Sequence, residues 1–250
     1  MPTPFMHLEI AELIRSSDRL VDPVKQYLEK EFPAFYLGSV APDVQSVADI
    51  RREDTHFYFL PPKPGENAYA TMLENYPQIS NARTMPIGQA VFIAAYCAHL
   101  MLDLRWYHEV LIPFFVEREN WISHQQAFLV HNTLLTYLDK SAVDALPDSA
   151  AETLAAAQPG NWLPFAADSD LVKWRDLLVK QLKPGAMLQT VEVYAGRMGM
   201  SPEEFAANLD RSEWMNRHLF SKVPVATVEV IMSTAIDDSI DLISDYLAET

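Results

Sequence analysis

Apolar positions recur along almost the whole chain at the three- and four-residue spacing of an α-helix. Residues 6–16 put Met6, Ile10, Leu13 and Ile14 on one face, and residues 18–31 do the same with Leu20, Val24, Tyr27 and Leu28. Sustained period-two alternation is missing, as are the Asn-Gly and Asp-Gly pairs of tight hairpins. The segment 86–112 carries IGQAVFIAAYCAHLMLDLRWYHEVLI, with few charges on any face, which predicts a central helix buried on most sides. Between Phe32 and Asp43 the chain is apolar but interrupted by Pro33, Gly38 and Pro42, and the PPKP at 61–64 cannot be helix interior. Residues 121–139 repeat the amphipathic pattern with Trp121, Phe128, Leu135 and Leu138, and it resumes over 168–182, 186–199, 201–220 and 224–247. Ser201-Pro202-Glu203-Glu204 is a helix start, with a capping serine, proline at the first position and acids in the first turn. The composition shift at 141–166 reads as a small helix flanked by loops. The prediction is one all-α domain, with that shift marking a lobe boundary between a helical core (1–140) and C-terminal helices (167–250).

Composition narrows the function more than the fold. Of 250 residues, 49% are hydrophobic and 21% charged, which is ordinary for a globular chain. Nineteen basic against 34 acidic side chains leave a net charge of −15, which repels a phosphate backbone. An extended nucleic-acid-binding surface is therefore not expected, whereas a local cationic site such as a bound metal remains allowed. A single cysteine, Cys97, excludes an intramolecular disulfide framework and any multi-cysteine zinc site. The opening residues carry no basic stretch ahead of an apolar run, and no eighteen-residue apolar stretch is evident. A soluble, cytoplasmic protein without a transmembrane segment is the expectation.

Chemistry concentrates on a few histidines and aspartates. His99 and Asp103 are four apart and project from one face of the apolar helix. An unpaired carboxylate there costs several kcal/mol, so Asp103 calls for a cation, and HxxxD suits two ligands of one metal. A histidine–aspartate hydrogen bond within the core is the competing reading of the same pair. His7 at the start of the first helix, Asp43 at the end of GSVAPD, and His56 in THF supply further donors. Three imidazoles and two carboxylates outside any charge run make a ligand set for zinc or another borderline divalent ion.

The order of His7, GSVAPD ending at Asp43, THF at His56, and HLMLD from His99 to Asp103 resembles the zinc-dependent phospholipase C family. That family is related in fold to the single-strand-specific zinc nucleases, and the resemblance covers roughly residues 5–140. It implies an all-helical fold with a metal cluster in an inter-helix cleft. By the same resemblance Asp43, His56, His99 and Asp103 form one zinc site, and Asp103 bridges to a second ion held by His7. Secreted members complete the second site with an N-terminal tryptophan, whereas this chain begins Met1-Pro2-Thr3. A third family site uses two histidines and a glutamate four residues after the second. His108 would supply the first histidine, and His124 and His131 compete for the other, but Phe128 and Leu135 stand where the glutamate is expected. The resemblance thus implies one to three zinc ions, with manganese or iron as alternatives. The implied activity is phosphoester hydrolysis with Asp43 as the catalytic carboxylate, acting on a small molecule or a lipid headgroup.

Other residues keep two readings each. His108 lies nine residues past His99, half a turn round a straight helix, so it joins the cluster only if the helix bends or ends near Trp106. Otherwise it is a surface residue. His124 and His131 are seven apart on one face, with Asp139 two turns beyond, as ligands, cleft-lining groups or polar-face residues. His218 has no partner spacing and reads as structural. Asp237, Asp238 and Asp241 form either a solvated face or a replacement for the missing glutamate. Arg51, Arg52 and Arg105 are candidate phosphate clamps. The competing function is a non-catalytic metal-binding or helical scaffold that has lost part of the cluster.

Overall fold

The computed structural model describes residues 1–118 and 121–248, so the last two positions of the predicted C-terminal lobe lie outside it. Among the described residues there are thirteen α-helices and no strand. In order they are α1 (Pro4–Arg15), α2 (Val24–Lys30), α3 (Phe32–Val40), α4 (Arg52–His56), α5 (Ala68–Asn75), α6 (Ile87–Arg105) and α7 (His124–Ala145). There follow α8 (Ala150–Ala155), α9 (Asp168–Gln181), α10 (Gln189–Met198), α11 (Pro202–Leu209), α12 (Ser212–Met215) and α13 (Val225–Ala248). A 3₁₀ turn, Ala41–Ser46, follows α3.

Helix α6 is the axis of the fold, as its lack of a polar face predicts. Every residue from Ala90 to Leu100 is buried, with α3, α5 and α13 packed around them. Beyond Arg105 the helix continues without a break as a π-helical stretch, Trp106–Val116. By length and a mean hydropathy of 1.5, Ile87–Val116 is long enough and apolar enough to cross a membrane, contrary to the expectation that no such stretch exists. Its most apolar part is 78% buried inside the protein, where neighbouring helices cover the apolar surface.

The interruptions read at Pro33 and Gly38 do not break the chain. Pro33 sits in the first turn of α3, where its missing N–H has no helical partner to lose. Gly38 lies inside α3 at the closest approach to α6: a Cβ there would fall 2.2 Å from the Phe92 carbonyl oxygen. Helix α2 begins at Val24 rather than at residue 18, after Pro23. Helix α7 begins later than predicted, at His124, where the Ser123 hydroxyl caps it by accepting from the Gln126 N–H. The helix read over 201–220 divides into α11, α12 and a π-turn, Asn216–Phe220. Within 141–166, α7 runs on to Ala145 and α8 packs Leu154 against α3 and α9. One apolar cluster extends from Phe5 to Leu247.

Candidate metal centre

Four separate elements deliver His7, Asp43, His56, His99 and Asp103 to one place. Thr3 caps α1, its hydroxyl accepting from the Met6 N–H, and His7 follows in the first turns of that helix. The glycine contact at Phe92 brings the end of α3 against α6 just before His99, so that Ser39 presents its carbonyl to that imidazole. Pro42 starts the 3₁₀ turn that carries Asp43. Helix α4 is tied to α6 by the Tyr96 hydroxyl, which donates to the Thr55 carbonyl at 2.7 Å. Phe57 then adopts a left-handed conformation (φ 58°), ending α4 directly after His56.

Asp103 is the hub. Its Oδ1 lies 3.7 Å from His7 Nε2 and 4.0 Å from His99 Nε2, while its Oδ2 lies 3.6 Å from His56 Nε2. Asp43 Oδ1 stands 3.5 Å from the same His56 nitrogen. The His7 and His99 rings stack with centres 3.7 Å apart. On the far side, Tyr58 donates to Asp103 Oδ2 at 3.0 Å, and Arg52 donates to it at 3.2 Å with its guanidinium over the Tyr58 ring.

The hydrogen bonds fix which imidazole nitrogens carry protons. His99 Nδ1–H donates to the Ser39 carbonyl at 2.8 Å, leaving Nε2 as a lone pair. The Thr55 hydroxyl donates to the Arg52 carbonyl and so accepts from His56 Nδ1–H at 3.0 Å. His56 Nε2 faces two carboxylates, Asp43 at 3.5 Å and Asp103 at 3.6 Å. Both nitrogens of His7, together with His99 Nε2 and Asp103 Oδ1, are buried with no hydrogen-bond partner. Such groups normally find one. One His7 nitrogen carries a proton, and a cation here would engage the other together with His99 Nε2 and Asp103 Oδ1; imidazole nitrogen with carboxylate oxygen is the donor chemistry of zinc. Two overlapping groups have donor atoms within 4.8 Å of one another: His7, His99 and Asp103, and Asp43, His56 and His99.

Protonation states agree with a ligand role. Burial, with the neighbouring His7, pushes the His99 imidazole down to about 3, so it is neutral at neutral pH. Burial pushes the Asp103 carboxyl up, but the adjoining His7, His99 and His56 rings outweigh it and hold it far below its usual value. Asp43 follows the same balance: burial raises it, and His56 beside it with His99 bring it below the ordinary range. Neutral imidazole and ionised carboxylate are the forms that bind a metal. The Met1 amino group also lies within electrostatic reach of Asp103 and Asp43, with burial lowering its pKa.

The remaining candidates lie elsewhere. His108 is exposed on the π-helical stretch, in a groove with Glu66, Asn67 and Tyr69. His124 is exposed at the start of α7. His131 is buried, but its Nε2 accepts from the Trp106 indole N–H at 3.0 Å, which engages that lone pair. None of the three belongs to a metal-binding group among the described residues. His218 stacks on Trp214, and Asp237, Asp238 and Asp241 pair with Arg19 or Arg105. Of the arginines, Arg51 pairs with Asp54 and Arg105 with Glu109 and Asp238, so Arg52 alone of the three touches the cluster. Sequence reasoning missed the Ser39 carbonyl and the Tyr58 hydroxyl, and only the chain's folding brings these to His99 and Asp103.

A cleft of about 250 Å³ meets the cluster at Asp43, whose side chain is 22% exposed whereas those of His7, His56, His99 and Asp103 are at most 2% exposed. Residues Met1–Phe5 line it together with Trp174, Thr190, Tyr194 and Arg197 of α9 and α10. Trp174 donates to the Val40 carbonyl at 2.8 Å, fixing α9 beside the turn that carries Asp43.

The sequence pattern of the family described as zinc dependent phospholipase C matches residues 6–183, well over half of the chain. No match emerges among curated proteins or among solved structures. An all-helical fold, a buried His/Asp cluster suited to zinc and this match converge: the chain belongs to the zinc-dependent phospholipase C family.

Proposed function

We propose that this protein is a zinc-dependent hydrolase of a phosphoester, with the metal held by His7, Asp43, His56, His99 and Asp103. The observation that carries the reading is the set of buried, unpartnered donor atoms meeting an open cleft at Asp43. A cluster closed on all sides suits a structural ion; access at one ligand suits catalysis. His99 has one free nitrogen, so it serves one ion only. Asp103 turns its two oxygens in different directions, toward His7 and His99 on one side and toward His56 on the other. Asp103 would therefore offer a carboxylate oxygen to donors on both of its sides.

When bound, zinc supplies charge that offsets the negative charge developing on a phosphoryl group and lowers the pKa of water to about 7 in favourable sites. The chain's own residues supply position. Ser39 and Thr55 lock the His99 and His56 rings through Nδ1, and Tyr58 with Arg52 hold the Asp103 carboxylate. Asp43, at the cleft, accepts a hydrogen bond from the attacking water, aims it at the phosphorus and takes up its proton. Arg52 is engaged with Asp103 and Tyr58, which assigns it to orienting a ligand rather than clamping substrate.

Zinc-reconstituted protein assayed against p-nitrophenyl phosphodiesters and glycerophosphodiesters tests the proposal. Hydrolysis abolished by chelation, restored by zinc and reduced about a hundredfold or more in Asp43→Asn is the expected result. Full zinc occupancy without turnover of either class identifies the non-catalytic metal-binding protein instead.

A further inference from the structure

The cleft at Asp43 contains a second charged side chain, of opposite sign. Asp43 and Arg197 are the only charged side chains in its lining among the described residues. Arg197, on α10, is exposed, with its guanidinium 5.1 Å from the centre of the Tyr194 ring and 5.4 Å from that of Phe128. In a chain of net charge −15 arginines readily find acids, as Arg19, Arg51, Arg105 and Arg175 do. Arg197 has no carboxylate partner among the described residues, its recorded contacts being the two rings. Contact with two aromatic faces restrains the guanidinium while leaving its N–H edge free, the arrangement in which arginine grips a carboxylate or phosphate through two hydrogen bonds. Tyr194 lines the same cleft and lies within electrostatic reach of both Asp43 and Arg197. Tyr194 and Arg197 lie beyond residue 183, outside the segment matched by the family pattern.

We propose that the cleft takes a phosphoester bearing a second anionic group, carboxylate or phosphate, and that Arg197 holds that second group. The inference rests on the hydrolase reading, which places the scissile phosphate at the Asp43 end. Gln181 and Gln189 offer uncharged hydrogen-bonding side chains in the lining, and Trp174 and Val193 offer apolar surface. A space of about 250 Å³ suits a substrate the size of a polar headgroup. A dianion approaching this acidic protein meets general repulsion, and Arg197 is the side chain in the cleft that offsets it locally.

Calorimetric binding of ethylphosphonate and of a graded series of ω-carboxyalkylphosphonates to the zinc-loaded protein tests this. The best carboxylated member binds wild type about tenfold or more tighter than ethylphosphonate. Arg197→Met removes that advantage and leaves ethylphosphonate affinity unchanged; Arg197→Lys, which keeps the charge but not the fork, retains part of it. Unchanged ethylphosphonate binding also shows that the variant is folded at the site. Equal affinity for all probes in wild type overturns the proposal, as does an advantage that survives Arg197→Met. A loss that strikes ethylphosphonate equally overturns it too, since Arg197 then serves the scissile phosphate. The hydrolase reading fails on a different signal: ethylphosphonate binding that persists unchanged after zinc is stripped.

Discussion

His99 Nε2 and Asp103 Oδ1 face each other across 4.0 Å, one turn apart on α6, and neither makes a hydrogen bond. The simple alternative, a core histidine bonded to a core aspartate, is available to this spacing and is not formed. The reason is that Ser39 takes the His99 Nδ1–H, so the nitrogen facing Asp103 has no proton to offer. Two acceptors facing each other in a buried site, with an unpartnered His7 ring stacked on His99, are costly without a compensating group, and a shared cation would supply one. The arrangement is costly as a structural device and appropriate as a ligand set.

Gly38→Ala should damage both fold and centre. A methyl group 2.2 Å from the Phe92 carbonyl forces α3 away from α6, and with it the Ser39 carbonyl that orients His99. A loss of about 2 kcal/mol or more in denaturant unfolding is expected, accompanied by weaker zinc binding. Wild-type stability in this variant would contradict the close approach.

Tyr58→Phe separates support of the ligand from support of the fold. It removes the hydrogen bond to Asp103 Oδ2 and the one the hydroxyl accepts from Arg52, and keeps the Arg52 bond to Asp103. Stability should fall by about 1 kcal/mol, while zinc affinity should fall about tenfold or more. Competition with a chromophoric chelator measures the second quantity. Equal zinc affinity in the two proteins would remove Tyr58 from the site.

Why some of this was legible in the sequence and some was not follows from range. The helical periodicity and the uniformly apolar α6 are local properties, and His99 with Asp103 sit on one face by spacing alone. The angular distance to His108 is local too, whereas its surroundings are not: α6 gives way to a π-helical stretch at Trp106, and His108 is exposed there. Gly38 read as an interruption because its purpose depends on Phe92, a partner on another helix. In the sequence Asp139 is placed only as two turns beyond His131, and its full burial between the hydroxyls of Thr3 and Thr190 comes from elements distant in sequence. Arg197 drew no notice because its meaning comes from the cleft and from the two rings beside it.

Asp139 should impose a pH dependence on stability. Burial outweighs the hydrogen bonds from Thr190, Thr3 and the Phe5 N–H, and raises its pKa from 3.8 to about 6. A pKa raised by folding means the folded protein binds the proton more tightly. The stabilisation is complete below pH 3.8 and is lost as pH rises through 6. Between these limits Asp139 alone withdraws about 3 kcal/mol. Unfolding free energies across that window should show this slope in wild type and lack it in Asp139→Asn. An identical slope in both would place the titration on another group.

Zinc content decides the central claim. Elemental analysis of protein purified without added metal or chelator, then of protein reconstituted with zinc, should be run beside a His99→Ala/Asp103→Ala variant whose helical circular dichroism matches wild type. The account predicts zinc in whole-number stoichiometry per chain in wild type and loss of that zinc in the variant. Wild type that retains no zinc, manganese or iron after reconstitution, and so equals the variant, would contradict it.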